Sequence, residues 1–119
     1  MKNILIIAII SIAIFTNCRP PFNETFFWGD YSSTLYDLKK NPDEKTLETH
    51  KQQILIILDE SNKRNLRIPP GVLAEYGYIL LKEGKEKEGF EYLDKEVVLY
   101  PESMVFIKQL KAEYSRRGK

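Results

Sequence analysis

Reactive and metal-binding side chains are scarce in this chain: its 119 residues include one cysteine, Cys18, one histidine, His50, and one tryptophan, Trp28. A single cysteine has no partner for an intramolecular disulfide. A lone histidine, with no second histidine or cysteine at ligand spacing, leaves any metal site to carboxylates alone, and zinc normally recruits several nitrogen or sulfur ligands. His50 therefore reads as a solvated or helix-edge residue. There is also no glycine-rich phosphate loop, no serine nucleophile motif and no Cys/His pair. Acidic pairs such as Asp59-Glu60 and Glu86 with Glu88 are spaced as helix surface charge. A glycosidase-like pair would need two carboxylates facing each other across a cleft. No catalytic residue, no metal and no cofactor is expected. Charge of either sign is likewise not in excess, since 18 basic residues against 17 acidic ones give a net +1. The only basic block is Arg116-Arg117-Gly118-Lys119, which suits the last turn of a helix, where cations favour the dipole; contact with anionic headgroups or a glycan is the other use for it. Nucleic-acid binding is not supported.

Long apolar runs are confined to the start. After Met1-Lys2-Asn3, with Lys2 as the single charge, the chain runs apolar from Ile4 to Phe15 and then reaches Thr16-Asn17-Cys18. That is the layout of a secretory leader, with a charged n-region, an apolar h-region and a cleavage zone. The run is shorter than the roughly 20 apolar residues of a membrane-crossing helix. Three fates remain open for Cys18: lipidation after cleavage, a free thiol left by ordinary signal cleavage, or retention in an uncleaved anchor. Lipidation explains the lone cysteine most simply. On that reading residues 1–17 are a lipoprotein signal peptide, 18–29 a tether and 30–119 one helical domain. About 100 mature residues suffice for one modest core.

Periodicity in the domain is helical throughout. Tyr31 to Lys40 reads as a short helix with Asp30 or Ser32 as cap and Leu35 and Leu38 inward. Asn41-Pro42-Asp43-Glu44 predicts a restart with Asn41 as cap and Pro42 at the first helical position. A long helix to about Lys63 follows, and its Ile54-Leu55-Ile56-Ile57-Leu58 run should be covered from two directions. Asn65 is a left-handed terminator, and Pro69-Pro70-Gly71 prepares the next start. Leu73, Tyr76, Gly77 and Leu80 lie on one face of a helix that Gly84 ends. Another helix from about Glu86 to Leu99 turns Gly89, Phe90, Leu93 and Val97 inward before Pro101 blocks it. Ser103 can cap a last helix whose stripe is Phe106, Ile107, Leu110 and Tyr114. The expected fold is all-α, with about five helices and no strand.

From Leu73 to Pro101 the spacing resembles a tetratricopeptide repeat, with Gly77 and Gly89 as the small residues that let two antiparallel helices approach. One small position of that motif holds Glu96, which cannot be buried unpaired, so a looser pack or a terminal repeat is expected there. A lone repeat cannot bury its faces, so the helices from Tyr31 to Lys63 must supply a preceding layer and the last helix a cap. Pro69 stands 32 residues before Pro101, close to one repeat period.

The set Trp28-Gly29-Asp30-Tyr31-Ser32, Tyr36, Lys40-Asn41-Pro42, Pro69-Pro70-Gly71, Glu75-Tyr76-Gly77-Tyr78 and Leu99-Tyr100-Pro101-Glu102-Ser103 resembles a family of small bacterial lipoproteins that carry a domain of unknown function. The resemblance spans nearly the whole mature chain. It implies an envelope lipoprotein without assigned enzymatic activity, expected beside lipoproteins similar to the curli secretion channel subunit. The candidate partner-binding residues are Trp28, Tyr31, Tyr78 and Lys82, with Cys18 for lipid. Trp28 and Tyr31 are either an exposed recognition element or a lid where the chain enters the domain. Tyr78 is offset from the buried stripe and can line a groove. The expected role is a non-catalytic interaction or assembly module on the periplasmic side of the outer membrane, with another envelope protein as partner. The alternative is a cell-wall glycan-binding protein or hydrolase.

Overall fold

The computed structural model describes residues 24–118. Within them are five α-helices and no strand: α1 (Tyr31–Lys40), α2 (Glu44–Lys63), α3 (Val72–Lys82), α4 (Glu86–Leu99) and α5 (Met104–Arg117), with a 3-10 turn at Pro101–Ser103 before α5. Cleavage before Cys18, and the tether up to residue 23, lie outside the described residues. Phe26 and Phe27 already belong to the domain: both are half-buried, Phe27 packs against the Ile54 and Ile57 cluster, and Arg64 lies 4.5 Å above its ring. Phe26 and Phe27 therefore lie with the helices, although residues up to 29 were expected to stand outside the domain.

Helix boundaries follow local chemistry, with some corrections. The N-cap of α2 is Asp43 rather than Asn41, because Asp43 can accept from the Thr46 amide at 2.7 Å while its own amide donates to Thr46 Oγ1 at 3.2 Å. Neither Asp30 nor Ser103 caps with its side chain; the Ser103 hydroxyl donates to Tyr100 O instead. Asn65 does end α2, at φ 52°, with Leu66 N donating to Ser61 O and Asn65 N to Asn62 O. The same paired pattern closes α3 at Gly84, where Lys85 N reaches Leu80 O and Gly84 N reaches Leu81 O. Both are Schellman closures, which need a left-handed residue past the helix end.

Two apolar clusters hold the bundle. Ile54 and Ile57 of α2 meet Val72 and Ile79 of α3, with Phe27, Tyr31 and Leu47 around them. Ala74 and Leu81 of α3 meet Leu93 of α4 and Ile107 of α5, flanked by Phe90, Val97, Leu110 and Tyr114. The run Ile54–Leu58 is not enclosed on both sides: Ile54 and Ile57 are fully buried, but Ile56 faces solvent. Phe106 also leaves the expected stripe and is exposed.

α3 and α4 run antiparallel, with Leu81 beside Gly89, Gly77 beside Gly89 and Leu93, and Gly71 beside Glu96. A Cβ on Gly77 would stand 2.7 Å from Gly89 O, and one on Gly89 would stand 2.9 Å from Gly77 O. Two glycines are what permit this backbone approach. Glu96 corrects the expectation of a loose pack. Its side chain is buried and its Oε1 accepts from the Gly71 amide at 2.7 Å, so a residue of α4 caps the start of α3. Gly71 has no side chain of its own to do so and sits at φ 88°.

Candidate functional site

A groove of about 650 Å³ lies between α3 and α5. Ala74, Glu75, Tyr78 and Lys82 line it from α3, and Phe106, Leu110, Glu113, Tyr114 and Arg117 from α5. Tyr31, from the first turn of α1, closes one end. Three of the four residues singled out in the sequence, Tyr31, Tyr78 and Lys82, thus meet in one place. Trp28 does not line the groove. Its ring lies against that of Tyr31, tilted by 59° with centroids 5.3 Å apart, and it stays exposed. Cys18 lies outside the described residues.

Helical periodicity explains this placement. On α3, Leu73, Gly77 and Leu80 turn toward the core, so Tyr78 and Lys82, one turn apart, project on the open side. The Lys82 ammonium sits 5.9 Å from the centre of the Tyr78 ring, a cation held over an aromatic face. Opposite them Arg117 pairs with Glu113 along α5. Tyr114 packs edge-on against Phe90 and its hydroxyl donates to Leu81 O at 3.3 Å, which fixes the α5 wall to the α3–α4 pair.

Beneath the Tyr31 end lies a buried polar cluster that the sequence reading missed. His50 is 0 % exposed, not solvated or at a helix edge. Its Nδ1 lies 2.8 Å from Thr34 Oγ1 and its Nε2 lies 3.1 Å from Glu75 Oε1. Burial is tolerated because α1 and α3 together supply a partner for each ring nitrogen. The Tyr31 hydroxyl donates to the other Glu75 oxygen, Oε2, at 2.5 Å. One imidazole therefore links three helices, and the carboxylate it holds forms part of the groove floor. Burial, the hydrogen bond to Glu75 and the carboxylate charge all push the Tyr31 phenol well above its ordinary range. A signal was available in the sequence: Leu47, His50, Ile54 and Ile57 share one helix stripe, and a polar residue on an apolar stripe needs partners.

Hydroxyl, imidazole and carboxylate stand in a row, and α1 and α3 satisfy both ring nitrogens. With Nε2–H donating to Glu75, a neutral ring leaves Nδ1 as acceptor for the Thr34 hydroxyl. A protonated ring donates at both nitrogens, and the hydroxyl turns to Tyr31 O, 3.1 Å away. Each state is fully satisfied. Thr34 lies within α1 with its amide bonded to Asp30 O, so that amide is not free to stabilise an oxyanion.

A second junction ties α2 to the end of α3. Lys51 Nζ meets Glu83 Oε1 at 2.5 Å and Lys85 Nζ meets Glu83 Oε2 at 2.9 Å, and these hydrogen bonds hold the Glu83 carboxyl below its usual range. Among the described residues, no three histidine, cysteine, aspartate or glutamate side chains gather as a metal site, and no helix is long and apolar enough to cross a membrane.

Compared with known families, the chain matches a domain of unknown function (DUF4810) over residues 25–110 and belongs to that family. No curated protein and no solved structure matches it.

Proposed function

We propose that this DUF4810 member is a lipid-anchored protein of the bacterial cell envelope that serves as a non-catalytic interaction or assembly module. In this reading the leader is cut before Cys18, acyl chains on Cys18 hold the protein at the periplasmic face of the outer membrane, and the groove between α3 and α5 takes a segment of another envelope protein. The resemblance drawn from the sequence supplies a partner class, a lipoprotein similar to the curli secretion channel subunit. The close glycine contact of α3 and α4 supports a tetratricopeptide-like pair, with α1 and α2 as the layer before it and α5 as the cap.

The observation that carries the reading is the groove itself. It is mostly apolar, with aromatic walls and exposed Tyr78 and Lys82 at its mouth, and such clefts are the usual place for a ligand or a partner side chain. Recovery of partners from native membranes with the native chain, Tyr78→Ala and Lys82→Glu checks it. Loss of a partner that the native chain retains is expected; the same partners with all three chains would count against the groove. For the anchor, Cys18→Ala should abolish incorporation of labelled acyl chains and release the protein, and persistent labelling would refute it.

A specific observation also supports the second reading, a cell-wall glycan-binding protein or hydrolase: the groove brings Glu75 and Glu113 together with Tyr31, Tyr78 and Tyr114. Both carboxylates are already engaged, Glu75 by Tyr31 and His50 and Glu113 by Arg117, which favours the interaction module. Sedimentation with purified cell wall and release of soluble fragments would decide for the glycan.

A further inference from the structure

Exposed apolar side chains are unevenly spread over the domain. Val98, 79 % exposed, Leu99, Met104 and Val105, 69 % exposed, flank the 3-10 turn Pro101–Ser103 at the corner where α4 passes into α5. Single exposed apolar residues are ordinary, but several gathered around one turn mark a contact surface.

That corner shares an end of the molecule with the incoming chain. Glu24 lies 3.5 Å from Arg64, just past α2. Three residues on, Arg67 covers the Tyr100 ring at 5.1 Å, and Ile68 O accepts from the Tyr100 hydroxyl at 2.6 Å. Tyr100 directly follows Leu99. The opposite end of α2 is about 30 Å away at 1.5 Å per residue. Charge at this end is close to balanced, with Lys63, Arg64 and Arg67 against Asp59, Glu60 and Glu24.

We infer that this end of the domain rests on a phospholipid bilayer, with Val98, Leu99, Met104 and Val105 entering the boundary between headgroups and acyl chains. The inference rests on Cys18 as the anchor. Covalent reach selects the occupant: Glu24 follows Cys18 by six positions, and a chain extends by at most about 3.6 Å per residue, so acylated Cys18 keeps Glu24 within roughly 20 Å of the bilayer. A protein neighbour could also cover an apolar corner, but it would give no reason for the patch to sit at the tethered end. Apolar burial drives the contact, and with local charge balanced it depends little on salt or anionic lipid. Its effect is to orient the domain, so that the α3–α5 groove keeps a constant attitude to the membrane.

The test uses the full chain, acylated in cells and reconstituted in vesicles of phosphatidylethanolamine and phosphatidylglycerol. Acylation removes the only native thiol, so a nitroxide can be attached at Val105→Cys and, as reference, at Tyr36→Cys, an exposed position toward the far end. Dissolved oxygen should relax the nitroxide at 105 several-fold more than a water-soluble nickel chelate does, with the reverse at 36, and phosphatidylcholine vesicles at high salt should give the same result. Chelate-dominated relaxation at both positions, in chains that float with the vesicles, overturns the bilayer contact. Shielding of position 105 from both reagents assigns the corner to a protein neighbour and overturns it too. Absence of acylation by mass spectrometry, with no flotation, marks failure of the anchor itself, and the inference falls with it.

Discussion

His50 Nε2 lies 3.1 Å from Glu75 Oε1, which joins the first half of α2 to the lining of the groove through a fully buried imidazole. Replacement by alanine leaves Thr34 and Glu75 each short of a partner and opens a cavity. His50→Ala should lower stability by about 2–4 kcal/mol. Thr34→Val removes a hydroxyl that meets both His50 Nδ1 and Tyr31 O and should cost about 1–2 kcal/mol. Urea unfolding of the two variants, followed by circular dichroism, checks both the order and the size.

Tyr31 gives a pH prediction with a definite sign. Its phenol is held above the ordinary range near 10 in the folded chain, by burial first and by Glu75 second. A raised folded value means that the stabilisation is complete below the unfolded pKa and is lost as pH rises above it. Stability should therefore decline above about pH 10, and more steeply than in Tyr31→Phe. Tyrosinate absorbance in an alkaline titration should show Tyr31 ionising only with unfolding. Equal alkaline profiles for the native chain and Tyr31→Phe would overturn the assignment.

Gly77→Ala puts a methyl carbon 2.7 Å from the backbone oxygen of Gly89, and a backbone cannot turn aside as a side-chain tip can. Forcing α3 and α4 apart should cost about 1–3 kcal/mol. Gly84→Ala is the informative contrast, since nothing lies within 4 Å of the new carbon and only the left-handed φ of 78° opposes it. About 1–2 kcal/mol is expected there. The crowding origin predicts that Gly77→Ala also shifts amide resonances across the α3–α4 contact, whereas Gly84→Ala changes them only around the turn.

Glu96→Ala removes the acceptor for the Gly71 amide and should cost about 1–3 kcal/mol. Glu96→Gln keeps a carbonyl oxygen for that amide and should recover part of the loss. Glu96 Oε2 has no partner, so an amide nitrogen placed there is equally unsatisfied. Thermal unfolding of the pair checks the order, and faster solvent exchange of the Gly71 amide in Glu96→Ala than in Glu96→Gln ties the loss to the cap rather than to the missing side-chain volume.

Much of the fold was legible because its determinants are local. Asn65 and Gly84 each end a helix in a left-handed conformation, and Gly77 with Gly89 marks the close pair through its likeness to a repeat motif. What escaped was set by partners distant in sequence. His50 is buried only because Thr34, 16 positions before it, and Glu75, 25 after it, converge on its ring. Glu96 read as a misfit in a small-residue position because its partner is a backbone amide, which no residue type advertises. In the groove, Tyr78 and Lys82 were visible on the side of α3 away from the buried stripe, whereas the place of Glu75 depended on Tyr31 and His50 and that of Glu113 on where α5 lies.

The cap that Glu96 supplies to Gly71 has a consequence for the order in which the chain folds. An isolated helix as short as α3 is marginal in water, and its first turn has no side-chain cap of its own. Its missing acceptor arrives only with the last turn of α4, 25 residues later. A nascent chain exposing residues 72–82 alone should hold them as fluctuating coil, and the two helices should then consolidate together in a single kinetic step. Because the separation is short, loop closure is cheap and that step should be fast, making the α3–α4 hairpin a natural nucleus for α5 and the α1–α2 layer to join.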